Sequence, residues 1–313
     1  DPSASVAIDA ACRSTGFFGV VGHGVDPALR ARLDSLCREF FALPAAEKAR
    51  IAMARGGRAW RGWFPVGSEL TSGTPDAKEG LYFGTDLTDD DPRVRAGLPL
   101  HGPNLYPGRP VELADAVRAY MSAVTEVGQT LLRGMAVGLG LPPDWFARTL
   151  TAEPTVLFRV FRYPPLAEAP TGPSADSVGE HTDYGLLTLL GQDGNPGLEV
   201  LLDDVWTDVP ADPDTLVVNL GDMLELMTGR RYRSTVHRVR NHGGTDRLSY
   251  PLFLDPGWDA VVTPVPGAEA APGAAAGRWD GEDPLDWAGT YGDYLWSRVA
   301  RVFPELADDV STS

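Results

Sequence analysis

The sequence predicts a mainly β chain with flanking helices, its strands closed into a sandwich, barrel or jelly roll. Three observations predict this. From Thr155 onward, short β-type runs recur at regular intervals: TVLFRVFRY, GLLTLLGQ, GLEVLL, WTDVP, TLVVNLGD, STVHRVR and RLSYPLFLD. Turn-forming stretches such as DGNPG, ADPD and NHGGTD separate them. Helical periodicity is confined to the flanks.

Taken in order, the opening DPSASVAIDAACRS looks like a chain trimmed of its initiator. GFFGVVGHGV then reads as a short buried strand punctuated by glycine. Asp26 as N-cap and Pro27 at the first helical position start a helix, with Leu29, Leu33, Leu36, Cys37 and Phe40 at helical spacing. Arg55 to Gly84 is polar and glycine-rich, so it predicts irregular chain with short strands. Lys78 and Glu79 there read as a solvated pair. Val111 to Leu139 carries one stripe, from Leu113, Val117 and Tyr120 to Leu131 and Met135, expected of a structural helix packed on a sheet. A proline-rich loop, PPLAEAPTGPSADSVGE, precedes His181 as a candidate lid. A second such loop, PVPGAEAAPGAAAGRWDGEDP, leads to a C-terminal helix in DWAGTYGDYLWSRVARVF. The expected organisation is a region over 1–110 that packs on the core without folding alone, followed by a helix-plus-β domain over 111–313.

A net charge of −16 opposes nucleic-acid binding, which needs Lys and Arg to neutralise phosphates. No apolar run of about 18 residues is present and no signal peptide is visible, so a membrane partner is not expected. Two cysteines, Cys12 and Cys37, exclude a disulfide framework and fit a reducing cytoplasm. A monomer acting on a small molecule is the expectation.

The chemistry concentrates in GEHTDYGLLTLL. Strand side chains alternate, so His181 and Asp183 point the same way, at the mouth of an apolar run broken only by Thr188. His237, in STVHRVR, supplies a third ligand if its strand lies alongside. Two histidines and one carboxylate form the facial triad of non-haem Fe(II) oxygenases, which leaves half the coordination sphere open. In RLSYPLF, Arg247 and Ser249 share one strand face, continued by Pro251 and Phe253. A guanidinium and a hydroxyl so placed can grip a carboxylate in a dry pocket.

These motifs, in this order, resemble the isopenicillin N synthase-like family of Fe(II)/2-oxoglutarate-dependent oxygenases. GFFGVVGHGV, RYPP, HTDYGLLTLL, VVNLGDMLELMTGRRYRSTVHRV and RLSYPLF carry the likeness, which spans nearly the whole chain. Gly22 stands where the family has Asn. The resemblance implies a double-stranded β-helix core, jelly-roll and cupin-like. It implies that His181, Asp183 and His237 hold Fe(II), and that Arg247 and Ser249, with Tyr163, bind the far carboxylate of 2-oxoglutarate. Dioxygen is then consumed, 2-oxoglutarate yields succinate, and a substrate C–H bond is oxidised, most simply hydroxylated. A step in specialised-metabolite or antibiotic biosynthesis is the expected setting.

Arg159, Phe161 and Tyr163 alternate along TVLFRVFRY, so all three should face inward. Arg159 is a candidate substrate-anion anchor or one half of a buried ion pair. Many family members carry Asn where Phe161 stands, so one polar contact near the co-substrate is missing. Phe253 is a candidate for stacking on substrate or for plain core packing. Trp60, Arg61 and Trp63 are placed near the loop that borders substrate in the family. Asn219 and Asp222 read as strand and turn structure, and His23, His101 and His242 as structural or loop residues.

The alternatives are an oxidase of the same family that uses no 2-oxoglutarate, a zinc hydrolase, and a non-catalytic module. The first would turn the Arg/Ser pair on the substrate's own carboxylate. The second predicts a general-base Glu, and Glu180 should point away. The third predicts loss of a triad member.

Overall fold

The computed structural model describes residues 2–69, 75–165, 177–241, 244–268, 287 and 289–302. His242, the body of the loop before His181 and most of the second proline-rich loop lie outside these residues.

Eleven described strands make two sheets. They are β1 (Phe17–Val20), β2 (Gly62–Phe64), β3 (Glu79–Gly84), β4 (Thr155–Tyr163), β5 (Val178–His181) and β6 (Leu187–Gln192). Then come β7 (Leu198–Leu202), β8 (Val205–Asp208), β9 (Leu216–Leu220), β10 (His237–Val239) and β11 (Arg247–Asp255). The larger sheet runs β1-β9-β6-β11-β4-β3-β2 and the smaller β5-β10-β7-β8, with every pairing between these strands antiparallel. Consecutive strands alternate between sheets along β4-β5-β6-β7, which is the jelly-roll winding the sequence predicts.

The helix Leu113–Gly138 covers the outer face of the larger sheet. Its stripe is as read, with Leu113, Val117, Tyr120, Val124, Leu131 and Met135 all buried. Each such side chain contributes roughly 1.5–3 kcal/mol. Gly128 lets this helix approach closely, since a Cβ there would meet Leu254 Cδ2 at 2.6 Å. Strand β6 is buried at every position. One face lies under the helix and the other lines the cavity between the sheets, so its sequence is a near-continuous apolar run.

Asp26 does cap the helix Pro27–Phe41, accepting from Ala28 N at 2.8 Å. The helix Pro2–Ser14 has no counterpart in the sequence reading. It is weakly patterned and is held by packing on Leu113–Gly138, where Gly134 and Gly138 make room for Ile8 and Asp9. The described part of Arg55–Gly84 is irregular with two short strands, as expected.

Lys78 and Glu79 are not solvated; each is 3% exposed. Lys78 pairs with Glu69 at 2.9 Å and Asp76 at 3.0 Å. Glu79 accepts from Lys48 at 2.7 Å, Trp63 Nε1 at 2.8 Å and Arg162 at 2.9 Å. Both sit at the start of β3, whose neighbour β4 brings Arg162 into register with Glu79. Charge identity alone does not reveal such a seat.

Candidate active site

Antiparallel pairing of β5 with β10 places His181 directly opposite His237. Asp183 is not on the strand, because β5 ends at His181. A turn over residues 182–186 returns the carboxylate to the histidines instead. That turn is clamped on the helix Asp222–Met227: Asp222 N donates to Asp183 O at 2.7 Å, and Thr182 Oγ1 to Asp222 Oδ2 at 3.1 Å. Gly185 is required there, since a Cβ would overlap the Asp255 carboxylate.

His181 Nε2 and His237 Nε2 lie 3.9 and 3.8 Å from Asp183 Oδ1. The three donor atoms fall within 4.8 Å of one another, the one such group among the described residues. Each Nδ1 faces a carbonyl, Gly179 O at 2.8 Å for His181 and Thr235 O at 3.2 Å for His237. A proton held on Nδ1 leaves Nε2 free to ligate a metal. Burial, and then His237, push the His181 imidazole well below its usual range, so it is neutral as a ligand must be. Burial raises the Asp183 carboxyl, but the two histidines and hydrogen bonds from Thr188 and Asn219 outweigh it and keep it ionised.

Thr188 and Asn219 are register partners on β6 and β9. The Asn219 amide donates to Asp183 Oδ2 at 2.6 Å, and the Thr188 hydroxyl donates to the same oxygen. Asn219 therefore supports the site, which corrects its reading as mere strand structure; Asp222 keeps its structural role. The signal for Thr188 was present, as the one polar break in an apolar run.

Arg247 enters the same cavity from β11 and is 1% exposed. Its Nη2 donates to Gln192 Oε1 at 3.3 Å, while Nε and Nη1 have no partner. Ser249 is 2% exposed, and its hydroxyl donates to Tyr163 Oη at 3.5 Å. Arg247 and Tyr163 are opposite in register, with the guanidinium 4.9 Å from the ring centre. Two hydroxyls and a buried guanidinium with open donors make a slot that fits a carboxylate. Gln192, its floor, was not anticipated.

Arg159, Phe161, Pro251 and Phe253 also line the cavity, so the predicted inward faces of β4 and β11 hold. Arg159 forms no ion pair with a described carboxylate. It stacks 3.5 Å from the Tyr82 ring centre and donates through Nη1 to Phe83 O at 3.2 Å. Phe161 lies under Lys78, whose Nζ is 4.4 Å from the ring centre. Tyr82 and Glu69, hydrogen-bonded together, complete this end. Asp255 lies on the cavity wall, accepting from Tyr291 Oη at 2.6 Å and Leu186 N at 3.0 Å. Burial pushes its carboxyl up to about 7.

Trp60, Arg61 and Trp63 do not line this cavity. Glu180 faces Arg238 at 3.6 Å, away from the triad. His23 accepts from Val25 N at 3.1 Å, a structural role as expected. Cys12 and Cys37 are buried free thiols. No described helix is long and apolar enough to cross a membrane.

Residues 1–109 match the family model for the N-terminal region of a non-haem dioxygenase in morphine synthesis, and residues 154–256 the model for the 2OG-Fe(II) oxygenase superfamily. A Dictyostelium discoideum protein named as an iron/ascorbate oxidoreductase is 42% identical, over 98% of this chain and 90% of its own length. A 2-oxoglutarate-dependent dioxygenase of Monascus ruber is 35% identical, over 91% of this chain and 88% of its own. The crystal structure of a full-length Neurospora crassa protein in complex with alpha-KG superposes with a TM-score of 0.78 at 26% identity, over 96% of this chain and 91% of that one. With the jelly roll and the His-Asp-His group already in place, these relations settle the family: the chain belongs to the 2OG-Fe(II) oxygenase superfamily and is an iron- and 2-oxoglutarate-dependent oxidoreductase.

Proposed function

We propose that His181, Asp183 and His237 hold Fe(II), and that Arg247, with Ser249 and Tyr163, receives the far carboxylate of 2-oxoglutarate. The single observation carrying this is one cavity with the donor triad at one wall and, at another, a buried guanidinium with two unpartnered nitrogens. When bound, Fe(II) with 2-oxoglutarate and dioxygen supplies the oxidising power for a C–H bond.

The chain's own residues position and shield. Asn219 and Thr188 fix one Asp183 oxygen, which leaves Oδ1 turned to the histidines. The Arg247 charge, held dry by Tyr163 and Gln192, binds a carboxylate more strongly than it would in water. Leu157, Leu190, Leu198 and Val239 give the cavity apolar walls that exclude solvent. Arg159, Phe161 and Phe253 form the substrate end of this reading, Arg159 as an anchor for an anion or a carbonyl. The oxidation is hydroxylation of a small molecule, and the working unit is a monomer. Residues 1–110 act as a cover on the oxygenase core; β1, β2 and β3 seated on the edges of the larger sheet support that.

The test is an anaerobic titration of the Fe(II) protein with 2-oxoglutarate, watching the metal-to-ligand absorption band, then a substrate panel in air with succinate quantified. A band that forms, and succinate released with product, is expected. Turnover without succinate would assign the Arg/Ser pair to the substrate's carboxylate instead.

A further inference from the structure

We propose that the chain carries a second binding site, for a small oxyanion of the carboxylate or phosphate type, in the cavity bounded by Arg61, Thr85, Arg93, His101 and Trp258. This cavity, about 250 Å³, is separate from the active site; Leu157 is the one residue that lines both.

Arg61 carries it. The residue immediately precedes β2, is 2% exposed, and has one hydrogen bond, from Nη2 to Leu100 O at 2.8 Å. Its Nε and Nη1 are buried without a partner, the same pair of nitrogens left open on Arg247. No described carboxylate lies within ion-pair distance of it. Of the other deeply buried cations, Lys48, Lys78 and Arg238 are matched, Lys48 by Glu79, Lys78 by Glu69 and Asp76, Arg238 by Glu199, while Arg159 and Arg247, without such a pair, line the active-site cavity. Burial, and then the neighbouring Arg159, oppose the charge on Arg61; Asp86 favours it from beyond ion-pair distance and is itself paired with Arg118. A guanidinium does not escape by releasing its proton. A buried cation with no carboxylate in contact is among the costliest arrangements in a protein, so an anion is the missing partner.

The surroundings suit an anion that enters from solvent. Gly84 leaves the space that the guanidinium fills, since a Cβ there would overlap it. Arg93, with its side chain 36% exposed, adds a second positive charge. It is paired with Asp91 at 2.8 Å and with Glu153 at 3.5 Å; Glu153 also lines this cavity, and with its side chain 86% exposed it can swing into solvent as an anion takes its place on Arg93. His101 is held by Pro99 O at 2.8 Å and packs edge-on against Trp258. Nη2 keeps a second proton besides the one given to Leu100 O, adjacent to a proton of Nε or of Nη1, and such a neighbouring pair matches the paired oxygens of a carboxylate or phosphate.

The experiment is thermal melting of the full chain against sodium phosphate and, separately, sodium acetate, with chloride at matched ionic strength as reference. In the Arg247→Met background, where the carboxylate slot of the active site is removed, a saturable rise in Tm should remain, and the double variant Arg61→Met/Arg247→Met should show none. Arg61→Met removes an unmatched buried charge at similar volume, so without anion it should melt no lower than wild type. The arm with the lower half-saturation identifies the oxyanion. A rise that persists in the double variant, or no rise in Arg247→Met, overturns the proposal by placing the anion elsewhere. No saturable rise over chloride overturns it too, leaving water as the partner of Arg61. If Arg61→Met does not fold, Arg93→Gln replaces it. That variant should raise the half-saturating concentration about two- to fivefold, and an unchanged value rejects the site.

Discussion

His181 and His237 occupy one register pair of β5 and β10, with ring centroids 4.2 Å apart. A slip of one residue in that pairing would turn one imidazole to the opposite face and dismantle the triad. His237→Ala should therefore leave a folded protein that no longer keeps iron through desalting. Iron content by colorimetric assay checks this, with circular dichroism confirming the fold.

The support beneath Asp183 is separable from the ligands. Asn219→Ala and Thr188→Val each free one bond to Asp183 Oδ2. Loss of such a partner lowers metal affinity about 10–100-fold. Competition against a chromogenic chelator measures it, and wild-type affinity in both variants would show that Asp183 needs no such support.

Arg247→Met should raise the half-saturating 2-oxoglutarate concentration on the order of 10²- to 10³-fold, because a buried carboxylate loses its partner. Tyr163→Phe removes one hydroxyl and should cost about two- to tenfold. The anaerobic absorption titration reads both.

Glu79→Ala should destabilise the fold by about 3–5 kcal/mol, because Lys48 is left buried and uncompensated. A solvated pair would cost less than about 1 kcal/mol. Urea denaturation midpoints distinguish the two.

Asp255 makes stability depend on pH. Its carboxyl titrates near 7 in the fold and about 3.9 in the unfolded chain. Between these values the native state keeps a proton that the unfolded state has lost. Stability is thus fully present below about pH 4 and falls as pH rises toward 7, by at most about 4 kcal/mol. Asp255→Asn should flatten that slope in the metal-free protein, measured by urea unfolding at several pH values.

The local chemistry was legible in the sequence because it is written in short-range pattern. Alternation along RLSYPLF and TVLFRVFRY placed Arg247, Ser249, Arg159 and Tyr163 on inward faces. Helical spacing delimited Leu113–Gly138, and the ordered motifs identified the triad. Only the tertiary structure decided which distant groups meet. Asp183 reaches the histidines through a turn, not a strand, because backbone bonds to the Asp222–Met227 helix hold it there. Lys78 and Glu79 read as ordinary surface charges, since burial is a property of what packs on a residue and not of the residue. Whether a charge finds its counter-ion, as Glu79 does across β3 and β4, or is left without one, as Arg247 is opposite Tyr163, depends on strand register. Register is set by the whole sheet, and no local stretch encodes it.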